Sequence, residues 1–177
     1  MNSSEIYSIL KQDEFTKNIN FLGVFPSDLI PISALSYPCS LVVNTKPISS
    51  EGEHWIALVK SSKNVGYYFD SYGMSPANFP EVATVLDTTK EWQYNDVQLQ
   101  SLLTTVCGQY CIFFLLHIAR GLSPDQIISF LNDNGDTAAN DAFIFMFFKQ
   151  RYSGFEDSQI IDFPFIKKQI ASNFNSL

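Results

Sequence analysis

The chain has 177 residues, of which 46% are hydrophobic, and a formal net charge of −7. This length suits a single domain over residues 1–177 with a sizeable core. The acidic balance argues against a dedicated nucleic-acid-binding protein, because contact with phosphates needs clustered Lys and Arg. Three cysteines do not suit a secreted disulfide framework, and the apolar runs are too short to cross a bilayer. We therefore expect a soluble protein that works inside a cell or a particle.

The first half of the chain predicts a short helix, a loop and then strands. Ser3 or Ser4 can cap a helix over Glu5–Gln12. The Pro and Gly residues within Asn18–Ser36 indicate a loop with short turns. Apolar runs predict four strands, the last of them weaker, at Cys39–Val43, His54–Lys60, Val65–Asp70 and Glu91–Leu99. The polar segment Ser61–Asn64 has the length of a hairpin loop between the second and third strands.

The second half of the chain predicts helices. Cys107–Arg120 is apolar around most of a helix circumference and is followed by Gly121, which indicates a buried central helix. Ser123-Pro124, with Gln126 three residues after the serine, forms a capping-box start for the next helix. Two further helices are predicted, a buried one over Asp141–Tyr152 and an amphipathic one over Phe165–Phe174. Strands followed by helices indicate an α+β fold.

A histidine and an aspartate stand at the two ends of the predicted hairpin. Facing residues in an antiparallel hairpin have a constant index sum, which the loop position puts near 125, and His54 and Asp70 give 124. We therefore expect the two residues to lie opposite each other or one step off, about 5 Å apart. A carboxylate at that distance can orient an imidazole that acts as a base. A surface ion pair is the ordinary alternative.

Cys107 stands at the predicted start of the central helix. The free N–H groups and the dipole of a helix N-terminus favour a thiolate, and a nearby His54 favours it further. The same N–H groups can bind an oxyanion, and Gly108 leaves room for a substrate backbone. The ordinary alternative is an inert buried cysteine, which is what we expect of Cys111 and Cys39. Cys107 and Cys111 could share a metal, but no second close Cys/His pair exists, so no metal site is predicted.

Two further residues lie close to this group in the sequence. Trp55 follows His54 and points to the other side of the strand, where it either packs in the core or shields the histidine. Gln100 lies seven residues before Cys107, and its amide can donate a hydrogen bond to an oxyanion. Gln98 is also available for that role.

At these residues the sequence resembles the adenovirus protease (adenain) family, which is related to the SUMO- and ubiquitin-like-protein proteases. Three motifs carry the resemblance: Gly52-x-His54-Trp55, the segment Tyr68-Phe69-Asp70-Ser71-Tyr72-Gly73, and Gln100 followed after six residues by Cys107-Gly108. The order of His, acid, Gln and Cys also matches that family, whereas papain-like proteases place the cysteine first.

The resemblance implies an adenain-like fold, in which a mixed sheet packs against the buried central helix. It also implies a cysteine endopeptidase that cuts at small residues, often glycine. Cys107, His54 and Asp70 are then the catalytic triad, and Gln100 and the Gly108 backbone bind the oxyanion. Gly52 and Trp55 are then the substrate-binding residues, with the backbone near Gly52 paired to a substrate strand. The implied role is maturation of virion precursor proteins of an adenovirus-like virus, a polinton or a virophage, in the host cell or the virion.

Three departures from the adenoviral pattern change what we expect. The acid is Asp70, where adenoviral enzymes usually have Glu and the SUMO-protease relatives have Asp. No cysteine lies between Cys39 and Cys107, so a disulfide-linked activating peptide is not expected. The acidic chain also argues against a DNA cofactor and against strong nucleic-acid binding. A non-covalent activating peptide remains compatible with the sequence, and no cofactor is required for the chemistry.

Two other functions compete with a maturation protease. One is a deubiquitinating or deSUMOylating isopeptidase, which needs a broad docking surface for its large partner. The other is a non-catalytic binding module that has kept the protease fold. The presence of Cys107, His54, Asp70 and Gln100 together argues against that module.

Overall fold

The computed structural model describes residues 1–152, apart from Glu51, Glu53 and Asn134. These residues confirm the predicted α+β fold. The strands are β1 (Phe21–Pro26), β2 (Cys39–Asn44), β3 (Trp55–Lys60), β4 (Val65–Phe69) and β5 (Glu91–Tyr94). The α-helices are α1 (Ser3–Gln12), α2 (Ala83–Leu86), α3 (Cys107–Ala119), α4 (Pro124–Leu131) and α5 (Thr137–Arg151). The helix predicted at Phe165–Phe174 lies outside the described residues, and the single domain over 1–177 stays a prediction.

The five strands form one mixed sheet in the order β1-β2-β3-β4-β5. The outer pairs, β1 with β2 and β4 with β5, are parallel, whereas β2, β3 and β4 run antiparallel to one another. Both faces of the sheet are covered. Val42 and Ala57 belong to the core shared with α3, while Leu41 and Ile56 belong to a second core on the opposite face. Successive residues of a strand point to opposite faces of the sheet, which is why neighbouring positions enter different cores.

The helix α3 is the buried centre of the fold, as predicted. Twelve of its 13 residues are buried, and it packs against α1, β3, α4 and α5. The rings of Phe114 and Phe69 stack with centroids 4.3 Å apart, which joins the helix to β4. Gly121 follows with φ +92°, a left-handed conformation suited to a helix end. This packing fixes where the N-terminus of α3, with Cys107, meets the sheet.

The segment Asn18–Ser36 was predicted to be a loop, and this prediction was wrong in part. Residues Phe21–Pro26 form β1, which pairs in parallel with β2. Its register shifts between Phe21 and Gly23, and Gly23 has φ +151°. The glycine and the terminal proline weaken the local strand signal, and the parallel pairing with β2 overrides it. The predicted strand Glu91–Leu99 is also shorter, because it ends at Tyr94.

The helix starts follow local capping rules. The predicted cap at Ser3 or Ser4 was wrong, because Asn2 caps α1: its Oδ1 accepts from the Glu5 N–H at 3.0 Å, and its own N–H donates to Glu5 Oε2 at 2.7 Å. The reciprocal pair satisfies two backbone groups, which a lone serine at the next position would not. The capping box of Ser123 with Gln126 is confirmed at the start of α4.

The helix α5 differs from its prediction over Asp141–Tyr152. It begins one turn earlier, at Thr137, because Asp136 caps it by accepting from the N–H groups of Ala138 and Ala139. It is also only partly buried, with Asp141, Ile144 and Phe148 as its buried residues. The helix lies at the edge of the α3 core, so only one of its faces is covered.

Candidate active site

His54 and Asp70 form a buried pair, with the imidazole Nε2 2.9 Å from the carboxylate Oδ1. His54 lies just before β3 and Asp70 just after β4. The observed register, Leu58 opposite Tyr68, gives an index sum of 126, so the predicted sum near 125 was wrong. The two residues therefore lie two steps from facing each other, in a diagonal relationship. An even offset keeps both side chains on the same face of the sheet, which is why they still meet.

Asp70 is fixed in place by four polar groups besides His54. Its Oδ1 accepts from the Tyr72 backbone N–H at 2.7 Å, and its Oδ2 accepts from the Tyr68 hydroxyl at 3.3 Å. The side-chain amide of Asn95 accepts from the Asp70 N–H and donates to the Asp70 carbonyl. Asn95 thus takes the place of a further β5 backbone residue beside Asp70. No pattern along the chain pointed to this role of Asn95, since a lone Asn after a strand is commonly a turn residue.

The electrostatics of His54 favour the imidazolium. Burial alone would lower its pKa, but the hydrogen bond to Asp70 and the interaction with Cys107 outweigh burial and raise the pKa to about 9. The second ring nitrogen, Nδ1, is buried and has no hydrogen-bond partner among the described residues. Because Nε2 is bound to Asp70, Nδ1 is the ring nitrogen that remains to exchange a proton with the Cys107 thiol. The rings of Tyr72 and Phe79 lie beside the imidazole, with centroids 4.8 and 6.2 Å away.

Cys107 is the first residue of α3 and is 7% exposed, at the wall of an open cleft. Burial would raise the pKa of its thiol, but His54 and the backbone N–H groups of Trp55 and Gly108 together lower it. Cys111 differs sharply, because its complete burial raises the pKa of its thiol well above the ordinary value. Burial also raises the pKa of the Cys39 thiol. The three cysteines are free thiols, and only Cys107 has surroundings that favour a thiolate.

The structure gives a packing reason for a glycine at position 108, which is not the reason that the sequence predicted. A Cβ atom at Gly108 would lie 3.1 Å from Ile6 Cδ1, 3.3 Å from Trp55 Cδ1 and 3.5 Å from Met1 Cβ. The missing side chain therefore makes room for Ile6 of α1 and for Trp55, and the room for a substrate backbone stays a prediction. The Gly108 N–H still points to Cys107, where it helps to lower the pKa of the thiol.

Gln100 is completely buried beside the pair. Its Oε1 accepts from the Ser71 hydroxyl at 2.7 Å, and its Nε2 donates to the Thr104 carbonyl at 2.9 Å and to the Tyr72 hydroxyl at 3.2 Å. Gln98, the alternative, is exposed and donates to the Gln100 carbonyl. The structure thus brings Gln100, and not Gln98, into the network around the pair, with the Tyr72 hydroxyl next to its amide.

A buried carboxylate on α5 holds the loop after Gln100. Oδ2 of Asp141 accepts from the Thr104 hydroxyl at 2.7 Å and from the Ser101 N–H at 3.1 Å. Oδ1 accepts from the hydroxyl of Tyr110 on α3 at 2.8 Å. Burial raises the pKa of Asp141 against these hydrogen bonds, which lower it. The sequence did not single out Asp141, because only the packing of α5 brings it to this loop.

The cleft beside Cys107 has a volume of about 570 Å³ and is also lined by Gly52, Trp55 and Asn44. A Cβ atom at Gly52 would lie 2.7 Å from the Asn44 Nδ2, so a larger residue there would displace that side chain. Trp55 is half-buried, packs against the α3 core and forms part of the cleft wall. The structure therefore brings both predicted substrate-binding residues to the same cleft as Cys107.

The second histidine, His117, is not part of this group. It lies in the core of α3, where its Nδ1 is 2.7 Å from the Phe113 carbonyl, and burial lowers its pKa to about 4. Within the described ranges, no three His, Cys, Asp or Glu residues cluster as a metal site would require. No helix in the described part of the chain is long and apolar enough to span a membrane.

A cysteine at a helix N-terminus, a histidine beside it and a buried acid behind the histidine suit nucleophilic acyl transfer. No model of a known protein family matches the chain. The sequence is similar to a curated protein named Protease from Porcine adenovirus A serotype 3, with 29% identity over 128 residues. The match covers 62% of this chain and 60% of that protein, so the chain spans about three-fifths of the relative's length. This similarity supports a distant relationship to the adenovirus proteases, and the mixed sheet with its central helix is compatible with an adenain-like fold.

Proposed function

We propose that the chain is a cysteine endopeptidase with Cys107 as nucleophile, His54 as general base and acid, and Asp70 as the residue that orients the histidine. One observation carries this proposal: the thiol of Cys107, at the start of α3, interacts with an imidazole whose Nε2 is bound, at 2.9 Å, by a buried carboxylate. The name of the porcine adenovirus relative supports proteolysis as the activity.

In the proposed reaction, the Cys107 thiolate attacks the carbonyl carbon of the substrate peptide bond. The oxyanion that forms accepts hydrogen bonds from the N–H groups at the start of α3 and, as the resemblance implies, from the Gln100 amide, which would exchange its bond to the Tyr72 hydroxyl for one to the oxyanion. The proton on Nδ1 of His54 passes to the leaving nitrogen, the C–N bond breaks, and an acyl thioester remains on Cys107. A water molecule, deprotonated by His54, then hydrolyses the thioester and releases the thiol.

The proposed substrates are virion precursor proteins, cut next to small residues, often glycine, in the host cell or the virion. Two features support this choice: the resemblance of the motifs to adenain, and the position of Gly52 and Trp55 on the wall of the cleft beside Cys107. A substrate strand that pairs with the backbone at Gly52 would place the residue at the cleaved peptide bond between Trp55 and the start of α3. We propose that any activating peptide binds without a disulfide, because Cys39 is buried in β2 and Cys111 in α3, and that DNA is not needed.

The test is cleavage of virion proteins encoded by the same genome, with the cut sites mapped by mass spectrometry. The wild-type protein is expected to release defined fragments, and a Cys107→Ala variant is expected to release none. Equal fragments from both proteins would contradict the proposed mechanism. Ubiquitin and SUMO conjugates form the second arm, and cleavage of these conjugates alone would identify an isopeptidase instead.

A further inference from the structure

A second cavity of about 560 Å³ lies on the other side of the catalytic pair. His54, Tyr72, Met74, Phe79 and Leu102 contribute to its walls. Cys107 lines the first cavity and not this one, whereas His54 lines this one and not the first. Lys46 contributes to the walls of both cavities.

The chemistry of acyl transfer assigns the two cavities to different parts of a peptide. The acyl portion becomes bonded to Cys107, so it must occupy the cavity that Cys107 lines. The leaving amine receives its proton from His54 and must lie within hydrogen-bonding reach of that ring. The cavity walled by His54 therefore faces the residues that follow the cut.

The walls of this second cavity are suited to an apolar side chain. Met74, Phe79 and Pro80 line it together with Leu102, and the charged residues there, Lys46 and Glu81, are of opposite sign. Pockets of this kind gain affinity mainly by removing apolar surface from water.

Leu102 is held in place although it is 74% exposed. The preceding Ser101 donates its N–H to Asp141, and Thr104, two residues on, donates its hydroxyl to the same carboxylate. The backbone on both sides of this leucine is thus anchored by a buried carboxylate, which leaves less loop freedom to be lost when the exposed side chain makes an apolar contact. Its neighbour Leu103 is 94% exposed and does not line the cavity.

We propose that this second cavity is the leaving-group subsite, that it selects an apolar side chain at the first or second residue after the cut, and that Leu102 determines this selectivity. The inference rests on the proposed protease function. This inference specifies which residues are preferred after the cleaved peptide bond, a preference that the sequence motifs do not address.

The test is a mixture of peptides from a whole-proteome digest, cut by the wild-type protein and by Leu102→Ser, Leu102→Met and Leu103→Ser variants. Wild type, Leu102→Met and Leu103→Ser are expected to favour Leu, Met or Phe over Ser after the cut. Leu102→Ser is expected to lose roughly tenfold of that preference, the scale of a lost apolar contact in a pocket. The preference is taken for each variant as the ratio of its rates on peptides with an apolar residue and with Ser after the cut, so that a general loss of activity cancels.

The outcomes separate this inference from the proposed function. Cleavage without an apolar preference after the cut would overturn the subsite while leaving the protease intact. The same preference in Leu102→Ser as in the wild type would overturn the role of Leu102. If every cut seen with the wild-type protein were also seen with Cys107→Ala, or if no cut were seen at all, the proposed protease function itself would be contradicted.

Discussion

Oδ1 of Asp70 accepts two hydrogen bonds at once, from His54 Nε2 at 2.9 Å and from the Tyr72 backbone N–H at 2.7 Å. The second bond fixes the carboxylate before any substrate is present, so the imidazole is oriented by a group that cannot rotate freely. The Tyr72 side chain also packs on the imidazole. The turn that follows β4 therefore both positions the Asp70 carboxylate and covers one face of the His54 ring.

Replacing Asp70 with Asn is expected to lower kcat/KM by roughly 100-fold or more, the scale seen when the acid of a triad is made neutral. The amide cannot stabilise an imidazolium and leaves Nε2 with a weaker partner. Peptide cleavage measured by mass spectrometry checks the loss, and circular dichroism checks that the fold is kept. Activity of Asp70→Asn within a factor of two of wild type would contradict the proposed role of the acid.

The pH dependence follows from the directions of the two pKa shifts. The pKa of Cys107 is lowered and that of His54 is raised to about 9, so the thiolate–imidazolium pair exists between the two values. Activity should therefore rise as the thiol loses its proton, stay level, and fall as the pH passes about 9. In Asp70→Asn the His54 pKa falls, so the alkaline limb should move to lower pH. The limbs of kcat/KM report the coupled pair and not either residue alone.

The three thiols should differ in reactivity toward iodoacetamide at neutral pH. Cys107 should be alkylated first, because its pKa is lowered, whereas burial raises the pKa of Cys39 and of Cys111. Peptide mapping of the labelled residue over time checks the order. Cys107→Ala should abolish cleavage with the fold intact, and Cys111→Ala should keep cleaving. A folded but inactive Cys111→Ala variant would mean that the wrong cysteine has been chosen.

The carboxylate of Asp141 gives a prediction about the loop that carries Gln100. Asp141→Asn loses an acceptor for the Ser101 N–H or the Thr104 hydroxyl, so the loop should loosen and kcat should fall roughly 10- to 100-fold. The effect should appear mainly in kcat, since Asp141 does not line the cleft beside Cys107. Asp136→Ala is the matched control, because it removes the N-cap of the same helix and lowers the stability of that helix without touching the loop. An equal loss in both variants would indicate that only helix stability had changed.

The sequence predicted best those features that depend on local rules. The buried run of α3 and the Ser123–Gln126 capping box need only neighbouring residues, and both are confirmed. The hairpin arithmetic brought His54 and Asp70 together but missed the register by one, because the index of a hairpin depends on how its loop residues bond. In the structure both Ser61 and Ser62 donate N–H groups to the Val65 carbonyl, which shifts the ladder.

The features that the sequence missed depend on contacts between distant segments. The strand β1 exists because β2 supplies its hydrogen-bond partners, and its own residues carry only a weak strand signal. Asn95 and Asp141 act on residues 25 and 40 positions earlier in the chain. Such pairs depend on how strands and helices pack, and periodicity along one segment contains no information about them.

The proposed nucleophile and its base lie on different layers of the fold, Cys107 at the start of the helix α3 and His54 at the start of strand β3. The two meet only because the helix docks on the sheet. A chain emerging from the ribosome, or one whose helix has slipped from the sheet, therefore carries a thiol and an imidazole that do not activate each other. Under the proposed mechanism, a copy of the chain therefore cuts substrates only after its core has assembled.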